Sequence, residues 1–170
     1  MKNKKILIII AITVVALYVF LVLVPDETNV EITNKNKEVI LYFATDNAMY
    51  LQGEKRLIIS DNLYQNTIDE LIKGPDSSTL TKTIPRGTNL IDLEIKNGIA
   101  FINFNKELQE KHWGGSAGER MTVYSIVNTL TQFPEIVKVQ ILIAGEEIET
   151  LAGHMDLSIP LAANESLIKE

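Results

Sequence analysis

Hydrophobic and polar positions follow two different patterns along this chain of 170 residues. Residues 6–24 are an unbroken apolar run without charge, whereas the rest of the chain alternates short apolar segments with polar ones. As a helix, the apolar run would span about 28 Å, close to the roughly 30 Å hydrocarbon core of a membrane. Three lysines precede it and acidic residues follow it, which predicts a cytoplasmic N-terminus and an extracytoplasmic domain.

We therefore expect residues 1–24 to be a transmembrane helix that anchors the protein in the cell membrane with a single pass. The alternative is a signal peptide whose cleavage would leave a secreted protein, but the run is long and no small-residue cleavage site closes it. Residues 25–37 are polar and rich in Asn, which indicates a linker. Residues 38–160 then form one domain, and residues 161–170 a frayed tail.

The first half of the domain predicts a strand, a hairpin and a helix. Residues 39–44 are a short apolar run of the kind found in a buried central strand. The polar residues 52–55 predict a hairpin turn between two short strands. Apolar positions at helical spacing over residues 63–73 predict a helix, which Gly74 and Pro75 end.

A second hairpin is predicted by the Asn97 and Gly98 pair, a strong two-residue turn signal. A two-residue loop fixes the register of the flanking strands, 90–96 and 99–104, and this register places apolar residues on one shared face. The predicted pairs are Lys96 with Ile99, Ile95 with Ala100, Leu93 with Ile102, and Ile91 with Phe104.

The pattern predicts a second helix over residues 116–133, entered through a glycine-rich stretch and stopped by Pro134. Ser116 and Glu119 have the spacing of a capping box, in which each side chain accepts a backbone N–H at the helix start. The apolar stripe consists of Val123, Ile126, Val127, Leu130 and Phe133. The opposite, polar side consists of Thr122, Ser125, Asn128, Thr129 and Gln132.

A further strand is predicted at residues 138–144, followed by a type II′ turn at Gly145 and Glu146, a strand over 147–151 and an extended piece over 153–158. The order of the main elements is strand, helix, strand, strand, helix, strand. This order predicts an α+β fold with two helices on one face of a mixed or antiparallel sheet.

Composition narrows the functional classes. The formal net charge is −6, and such an acidic domain argues against nucleic-acid binding, which depends on cationic contacts to phosphates. Without cysteine, the chain has no disulfide, thiolate metal site or lipidated cysteine. With two histidines, no cluster has the spacing of a metal site, and we expect no metal and no cofactor.

The glycine-rich entrance to the second helix is the main candidate for function. Its acidic residue and the absence of a following Lys-Ser or Lys-Thr pair favour a tight turn over a phosphate site. Ser116 has no recognisable base partner, so we expect no enzyme activity. For Trp113, beside two glycines, an anchoring contact with the core is favoured, and the alternatives are packing on a partner protein or stacking on cell-wall glycan. The candidate surface consists of Trp113, Gly114, Gly115, Ser116, Glu119, Asn128, Gly153 and His154.

Several motifs together resemble one known family. They are GGSAGE at 114–119, IVNTLTQFP at 126–134, VKVQILI at 137–143 and GEEIETLAGHMDLS at 145–158, with VILYF, LIKGP and IPRGT upstream. This set resembles the GerMN domain of sporulation and spore-germination proteins of Gram-positive bacteria, over about residues 38–160.

The resemblance implies an extracytoplasmic, non-enzymatic module with a fold similar to ring-building motifs. It also implies envelope proteins, or further copies of the chain, as partners in an envelope complex, and peptidoglycan is the alternative ligand. Family members often carry a lipid anchor or two tandem domains. This chain has no cysteine and one copy, so the N-terminal helix would replace the lipid.

Overall fold

The computed structural model of the protein describes residues 36–169. The predicted transmembrane helix and nearly all of the predicted linker lie outside the described residues. Among the helices within 36–169, none is long and apolar enough to cross a membrane.

The first sheet has three antiparallel strands in the order β2-β1-β3: β1 (Asn36–Thr45), β2 (Leu51–Ile59) and β3 (Leu80–Thr81). The hairpin turn predicted at 52–55 is wrong, because β2 runs through these residues and pairs with β1 along its whole length. Gly53 reflects close packing and not a turn, since a Cβ there would lie 2.6 Å from Ile40 Cγ2.

The helix α1 (Leu63–Lys73) has the predicted bounds. Ile68 and Leu71 are fully buried, and the Gly74 N–H donates to the Leu71 carbonyl oxygen at 3.2 Å to close the helix. Arg56 of β2 reaches the helix through an ion pair with Glu70 at 2.9 Å. The apolar spacing over residues 63–73 was sufficient to predict the bounds of this helix.

The second sheet is mixed and has five strands: β4 (Leu90–Lys96), β5 (Ile99–Phe104), β6 (Lys138–Ile143), β7 (Glu146–Glu147) and β8 (Leu161–Ala162). β5 and β6 are parallel, and the other pairs are antiparallel. The α+β class and the element order are confirmed. The strands form two sheets, however, and not the single sheet that we expected.

The predicted register of the β4–β5 hairpin holds for three of its four pairs, those of Lys96, Ile95 and Leu93. The fourth is wrong, because an irregularity near the start of β4 places Leu90, not Ile91, opposite Phe104. An extra residue in one strand shifts the alternation of its side chains, and Ile91 is accordingly 54% exposed.

Two helices connect β5 to β6: the short α2 (Glu107–Glu110) and α3 (Ser116–Leu130). α3 ends at Leu130, three residues before the predicted end, and Phe133 remains buried in the turn that follows. Four residues on the polar side of α3 are buried: Thr122, Ser125, Asn128 and Thr129.

These polar residues are buried because α3 packs on β1 and on β6, one strand from each sheet. β3 pairs only with the last two residues of β1. Further back along β1, the strand backbone is bound by the side chains of Thr129 in α3 and of Gln132 just beyond the end of the helix. Gln132 Oε1 accepts the Ile40 N–H at 2.8 Å, and its Nε2 donates to the Ile40 carbonyl oxygen at 2.8 Å. Thr129 Oγ1 accepts the Tyr42 N–H at 3.1 Å.

The end of the chain is ordered around β6. The reversal before β7 uses Ala144 (φ 50°) and Gly145 (φ 86°), so it is a type I′ turn and not the predicted II′ turn at the next pair. Of the strand predicted over 147–151, only Glu147 belongs to a strand, the two-residue β7. Residues 153–158 contain bends in place of an extended piece.

The expectation of a frayed tail is wrong, because β8 pairs with β6 and a 3-10 turn (Glu165–Leu167) follows it. Leu167 is buried in a small cluster with Ala44, Leu51 and Met121. The Lys169 N–H donates to the Leu51 carbonyl oxygen at 2.8 Å. The larger apolar core joins both sheets, α1 and α3 in one cluster.

Candidate functional site

α3 begins after a bend made by two glycines. Gly114 (φ 76°) and Gly115 (φ 77°) both have left-handed φ angles, which favour glycine. A Cβ at either position would meet nothing within 4 Å, so glycine is needed for the backbone conformation and not for space. The Gly114 N–H donates to His112 Nδ1 at 3.0 Å. The chain therefore bends at Gly115, at the place where a tight turn was predicted.

Glu119 does not cap α3, because no side-chain hydrogen bond caps this helix, and the predicted capping box is therefore wrong. The side chain is fully buried and accepts from a different segment. Oε1 accepts the N–H groups of Leu151 at 2.9 Å and Ala152 at 2.8 Å, and the Thr150 hydroxyl at 2.7 Å. Oε2 accepts the His154 N–H at 2.8 Å.

We call the segment 150–154 the Glu119 loop, since this carboxylate holds it against α3. Burial alone would raise the pKa of Glu119, but the hydrogen bonds from Ala152, Thr150, His154 and Leu151 outweigh it and lower the pKa. Glu119 is therefore ionised at neutral pH. Its charge is balanced by N–H dipoles, and the start of α3 adds a favourable helix dipole.

His112 connects the glycine bend to the protein interior. Its Nδ1 accepts the Gly114 N–H, so in the neutral ring the proton lies on Nε2. Nε2 can then donate to Thr122 Oγ1 at 3.1 Å, and that hydroxyl donates to the Thr83 carbonyl oxygen at 2.6 Å. Burial lowers the pKa of His112, and the nearby Glu119 carboxylate opposes this effect. Both ring nitrogens are used in hydrogen bonds within the protein.

Trp113 is 54% exposed, so the core contact that the sequence favoured for it is wrong. One face of its indole stacks on the His112 ring with centroids 5.0 Å apart and planes at 23°. The indole lies over Gly118 of α3, where an added Cβ would be only 2.5 Å from Nε1. Gly118 therefore provides the space that lets this tryptophan lie against the helix.

A cleft of about 410 Å³ opens beside Trp113, and we call it the Trp113 cleft. It lies between the first turns of α3, the end of β1 and the segment that starts at β3. Its lining is mainly apolar, and its polar side chains come from the β3 segment. The lining residues are Ala44, Ala48, Thr81, Lys82, Thr83, Trp113, Gly118 and Met121.

The structure separates the predicted surface residues into three groups. Trp113, Gly114, Gly115 and Ser116 lie together at the start of α3. Gly153 and His154 are exposed in the Glu119 loop.

Two of the predicted residues are buried. Glu119 is one, and Asn128 is the other, at 3% exposed and about 18 Å further along α3 than Ser116. Asn128 binds the backbone of Asn164 and does not face solvent. These two side chains therefore stabilise the fold beneath the surface and do not form part of it.

Sequence reasoning missed the floor of the cleft. Thr81, Lys82 and Thr83 fall in a polar connection that predicts only a loop, and Met121 lies outside the apolar stripe that was identified on α3. The long-range packing of β3 beside β1 brings the three residues 81–83 to Trp113, and no local pattern in the sequence predicts this packing.

The described residues show no recognisable catalytic arrangement. Within 36–169, no hydrogen bond joins Ser116 to a histidine, and no group of three or more acidic or histidine side chains is placed to hold a metal ion. What the geometry offers is an exposed aromatic ring beside an apolar cleft at the start of α3. Such an arrangement suits binding.

The fold and the cleft thus define a small α+β domain of two sheets around one buried helix, with an exposed aromatic ring and an apolar cleft at the start of that helix. The profile of the Germane family, described as sporulation and spore germination, matches residues 40–149. This match covers more than half of the chain, and the chain belongs to that family.

Solved structures agree with this assignment. A predicted lipoprotein from Clostridium perfringens is 31% identical, with 76% of this chain and 89% of that one covered and a TM-score of 0.55. The first GerMN domain of the sporulation protein GerM from Bacillus subtilis is 24% identical, with 74% and 97% covered and a TM-score of 0.64.

The tandem GerMN domains of the same Bacillus subtilis protein match at 22% identity and a TM-score of 0.64. The alignment covers 75% of this chain but 46% of that structure, so the chain spans about half the length of the tandem pair. These two matches show the GerMN fold. Among curated proteins, the sequence comparison finds no match.

Proposed function

We propose that this protein is a membrane-anchored, extracytoplasmic interaction module of the bacterial envelope, which assembles or stabilises a protein complex there. The observation that carries the proposal is the Germane family match over residues 40–149, the family of sporulation and spore germination. The structure is consistent with it, because the site that it presents is suited to binding.

The N-terminal sequence supports the anchor. The apolar run at 6–24, with three lysines before it, has the length and flanking charge of a single-pass segment with a cytoplasmic N-terminus. The similar protein from Clostridium perfringens is named as a predicted lipoprotein, which is also an envelope location. In this chain, which has no cysteine, the helix would serve in place of a lipid.

Because the chain lacks cysteine, the topology can be tested with single-cysteine variants of the full chain. Lys96→Cys places the thiol on an exposed part of the β4–β5 hairpin, and Lys4→Cys places it before the apolar run. A membrane-impermeant maleimide should label the first variant in intact cells and the second only after permeabilisation.

Labelling of position 4 but not of position 96 in intact cells would contradict the proposed orientation. A mature protein that lacks position 4 altogether would support the alternative, secretion after cleavage. For the interaction itself, chemical cross-linking in envelope fractions should give specific larger species, and recovery of the protein only as a monomer would count against the proposal.

Binding to peptidoglycan glycan is the alternative function, and the exposed ring of Trp113 is the feature that favours it. Two observations count against it. Asn128, a polar residue expected to contact the sugar, is buried. The cleft beside Trp113 is lined by no carboxylate and no amide side chain. Sedimentation with purified peptidoglycan separates the two proposals, because an interaction module should remain in the supernatant.

A further inference from the structure

β2 is an edge strand of the first sheet, because among the described strands it pairs with β1 alone. Its register with β1 is regular from the Asn36–Ile59 pair to the Ala44–Leu51 pair, without a bulge, and the strand contains no proline. Bulges, prolines and covering segments are devices that prevent an edge strand from pairing further. Within residues 36–169, the stretch 53–59 has none of these devices, and we call it the β2 edge.

Alternate residues of the β2 edge point their backbone groups away from β1. In an antiparallel pair, each residue either bonds to the partner strand with both backbone groups or points both of them away, in alternation. The N–H groups of Ile40 and Tyr42 in β1 bind side chains of residues 132 and 129, so they point away from β2. Their partners across the ladder must then point away from β1. The outward residues of the β2 edge are therefore Gly53, Lys55, Leu57 and Ile59.

Most of these outward groups have no partner. Within residues 36–169, the outward N–H groups have no acceptor, and among the outward carbonyl oxygens only that of Ile59 has a donor, Asn66 Nδ2 at 3.1 Å. The chain covers its own strand just before this stretch, since Ile168 pairs with Leu51 and the Lys169 N–H donates to the Leu51 carbonyl oxygen at 2.8 Å. A row of unpaired backbone groups is a template for a further strand, and here the row begins beyond Leu51.

The side chains of the β2 edge are largely apolar and accessible. Leu57 is 69% exposed, more than any other large apolar side chain within residues 36–169, and Ile59 is 53% exposed. Lys55 is held in an ion pair with Glu38 of β1 at 2.8 Å. A groove of about 560 Å³ lies between residues 57–59 and α1, so the helix leaves space beside the strand. Burying the exposed side chains against a second apolar surface would be favourable.

We propose that two copies of this chain associate through the β2 edge, with their β2 strands antiparallel and a two-fold axis at Leu57. The first sheet then continues from one copy into the other. Leu57 of one copy lies opposite Leu57 of the second copy, and Lys55 of each copy lies opposite Ile59 of the other. The outward backbone groups of these residues bond across the axis. The inference rests on the proposed function as an interaction module, and it names one partner and the surface that binds it.

The charges and the length of the strand select this register. An axis at any of residues 54–56, which are Glu, Lys and Arg, places two like charges directly opposite each other, and such pairs are destabilising. An axis at Gly53 would pair Leu51, which the end of the chain already covers. An axis at residue 58 or 59 runs past the end of β2 and pairs fewer outward groups. The axis at Leu57 avoids all three problems.

A second copy suits this edge because it supplies an identical edge and, by the proposed function, is anchored in the same membrane. β1 begins at Asn36, opposite Ile59, so the axis passes close to the point where each chain enters its domain. From the usual rise and spacing of strands, the two entry points would lie about 20 Å apart. Residues 25–35 can span up to about 36 Å, which allows both apolar runs to enter one membrane. Sharing a membrane raises the effective concentration of the second copy.

Because the chain has no cysteine, disulfide formation can test the register. Full-chain variants with one cysteine each are oxidised in isolated membranes with copper-phenanthroline and separated without reductant. Leu57→Cys should give about tenfold more covalent dimer than Lys55→Cys, since the paired Cα atoms would lie about 5.5 Å apart in the first and about 14 Å apart in the second. Lys96→Cys, on the β4–β5 hairpin, is the exposed control and should stay monomeric.

The facing pair of the register gives a second signature. Lys55→Cys and Ile59→Cys, on differently tagged chains produced in the same cells, should form a mixed disulfide although neither forms one with itself. Adding Leu57→Pro to both chains should abolish the mixed disulfide, because proline removes the outward N–H. This N–H does not bond to β1, so the fold should survive, and circular dichroism checks that it does. Leu57→Val, the matched control, should retain the mixed disulfide.

Equal dimer yields from positions 57, 55 and 96 would indicate random collision and overturn the proposal. A monomeric Leu57→Cys chain, its linkage to a different protein, or a mixed disulfide that survives Leu57→Pro would also overturn it. These outcomes differ from failure of the proposed function. Cross-links to other envelope proteins beside a monomeric Leu57→Cys chain would remove only the β2 pairing. Dimers of a chain whose position 96 is inaccessible in intact cells would do the reverse.

Discussion

Asn128 of α3 and Asn164 near the end of the chain exchange two hydrogen bonds. Asn128 Nδ2 donates to the Asn164 carbonyl oxygen at 3.1 Å, and its Oδ1 accepts the Asn164 N–H at 2.9 Å. The side chain thereby acts as a two-bond backbone clamp on the segment between β8 and the 3-10 turn. A residue that the sequence suggested for ligand binding thus fixes the C-terminal segment to the buried helix.

Asn128→Ala should lower the free energy of unfolding by about 2–3 kcal/mol, because two backbone groups would lose their partners in a largely buried place. Urea denaturation of the full chain measures this loss. Hydrogen exchange should also become faster in residues 161–169 before it changes in β5 or β6. Ser78→Ala, at an exposed position, is the control and should change neither quantity. Slow exchange in 161–169 of the Asn128→Ala variant would contradict the clamp.

Glu119→Gln should destabilise the protein by about 3 kcal/mol, although the two side chains have nearly the same shape. The amide nitrogen would face an N–H donor, either that of His154 or those of Leu151 and Ala152, and the charge-assisted bonds would be lost. Glu110→Gln makes the same charge change at an exposed position of α2 and serves as the matched control. Equal denaturation midpoints for the two variants would show that the Glu119 loop does not depend on the carboxylate.

The stability contributed by Glu119 should depend on pH with a definite sign. The folded-state pKa lies below the ordinary value of 4.5, so the contribution is fully present above pH 4.5 and is lost as the pH falls through the folded-state pKa. The gap in melting temperature between wild type and Glu119→Gln should therefore be constant from pH 7 to pH 5 and close on further acidification. A gap that widens in acid would contradict this assignment.

Gly118→Ala should displace Trp113 without unfolding the domain. The added Cβ would lie 2.5 Å from the indole Nε1, and the ring is exposed enough to move. The emission of Trp113 should shift to longer wavelength, whereas stability should stay within about 1 kcal/mol because Ala favours the helix. Ala117→Gly, at the preceding exposed position, should cost stability but leave the emission unchanged. An unchanged emission in Gly118→Ala would mean that the indole does not lie on the helix.

The parts of the fold that follow from neighbouring residues were predictable. α1 was found from apolar spacing and its terminating glycine, and the β4–β5 hairpin from the Asn97 and Gly98 pair. The bulge at Ile91 was not predicted, because nothing in the alternating pattern distinguishes an extra residue from a regular one. Gly53 led to the wrong prediction of a turn, because in a sequence a glycine required by close packing cannot be distinguished from a glycine in a turn.

The parts that depend on long-range contacts were not predictable. The polar residues of α3 have the same helical spacing whether they face water or, as here, contact the backbone of β1. Their spacing in the sequence therefore does not predict that they are buried. The local spacing of Ser116 and Glu119 favours a capping box, but the actual partners of Glu119 are N–H groups more than 30 residues away. Backbone donors leave no pattern in a sequence, and the cleft beside the surface predicted at the start of α3 was missed because its lining also depends on long-range packing.

The most direct test of the central claim, docking of an envelope protein at the start of α3, is site-specific photo-cross-linking in cells that carry the full chain. A photoreactive amino acid replaces Ala48 at the cleft or Lys96 on the hairpin, and mass spectrometry identifies the linked residues. We predict adducts from position 48 only, to one envelope protein. Equal adducts from both positions, or adducts only to cell-wall glycan, would contradict the account.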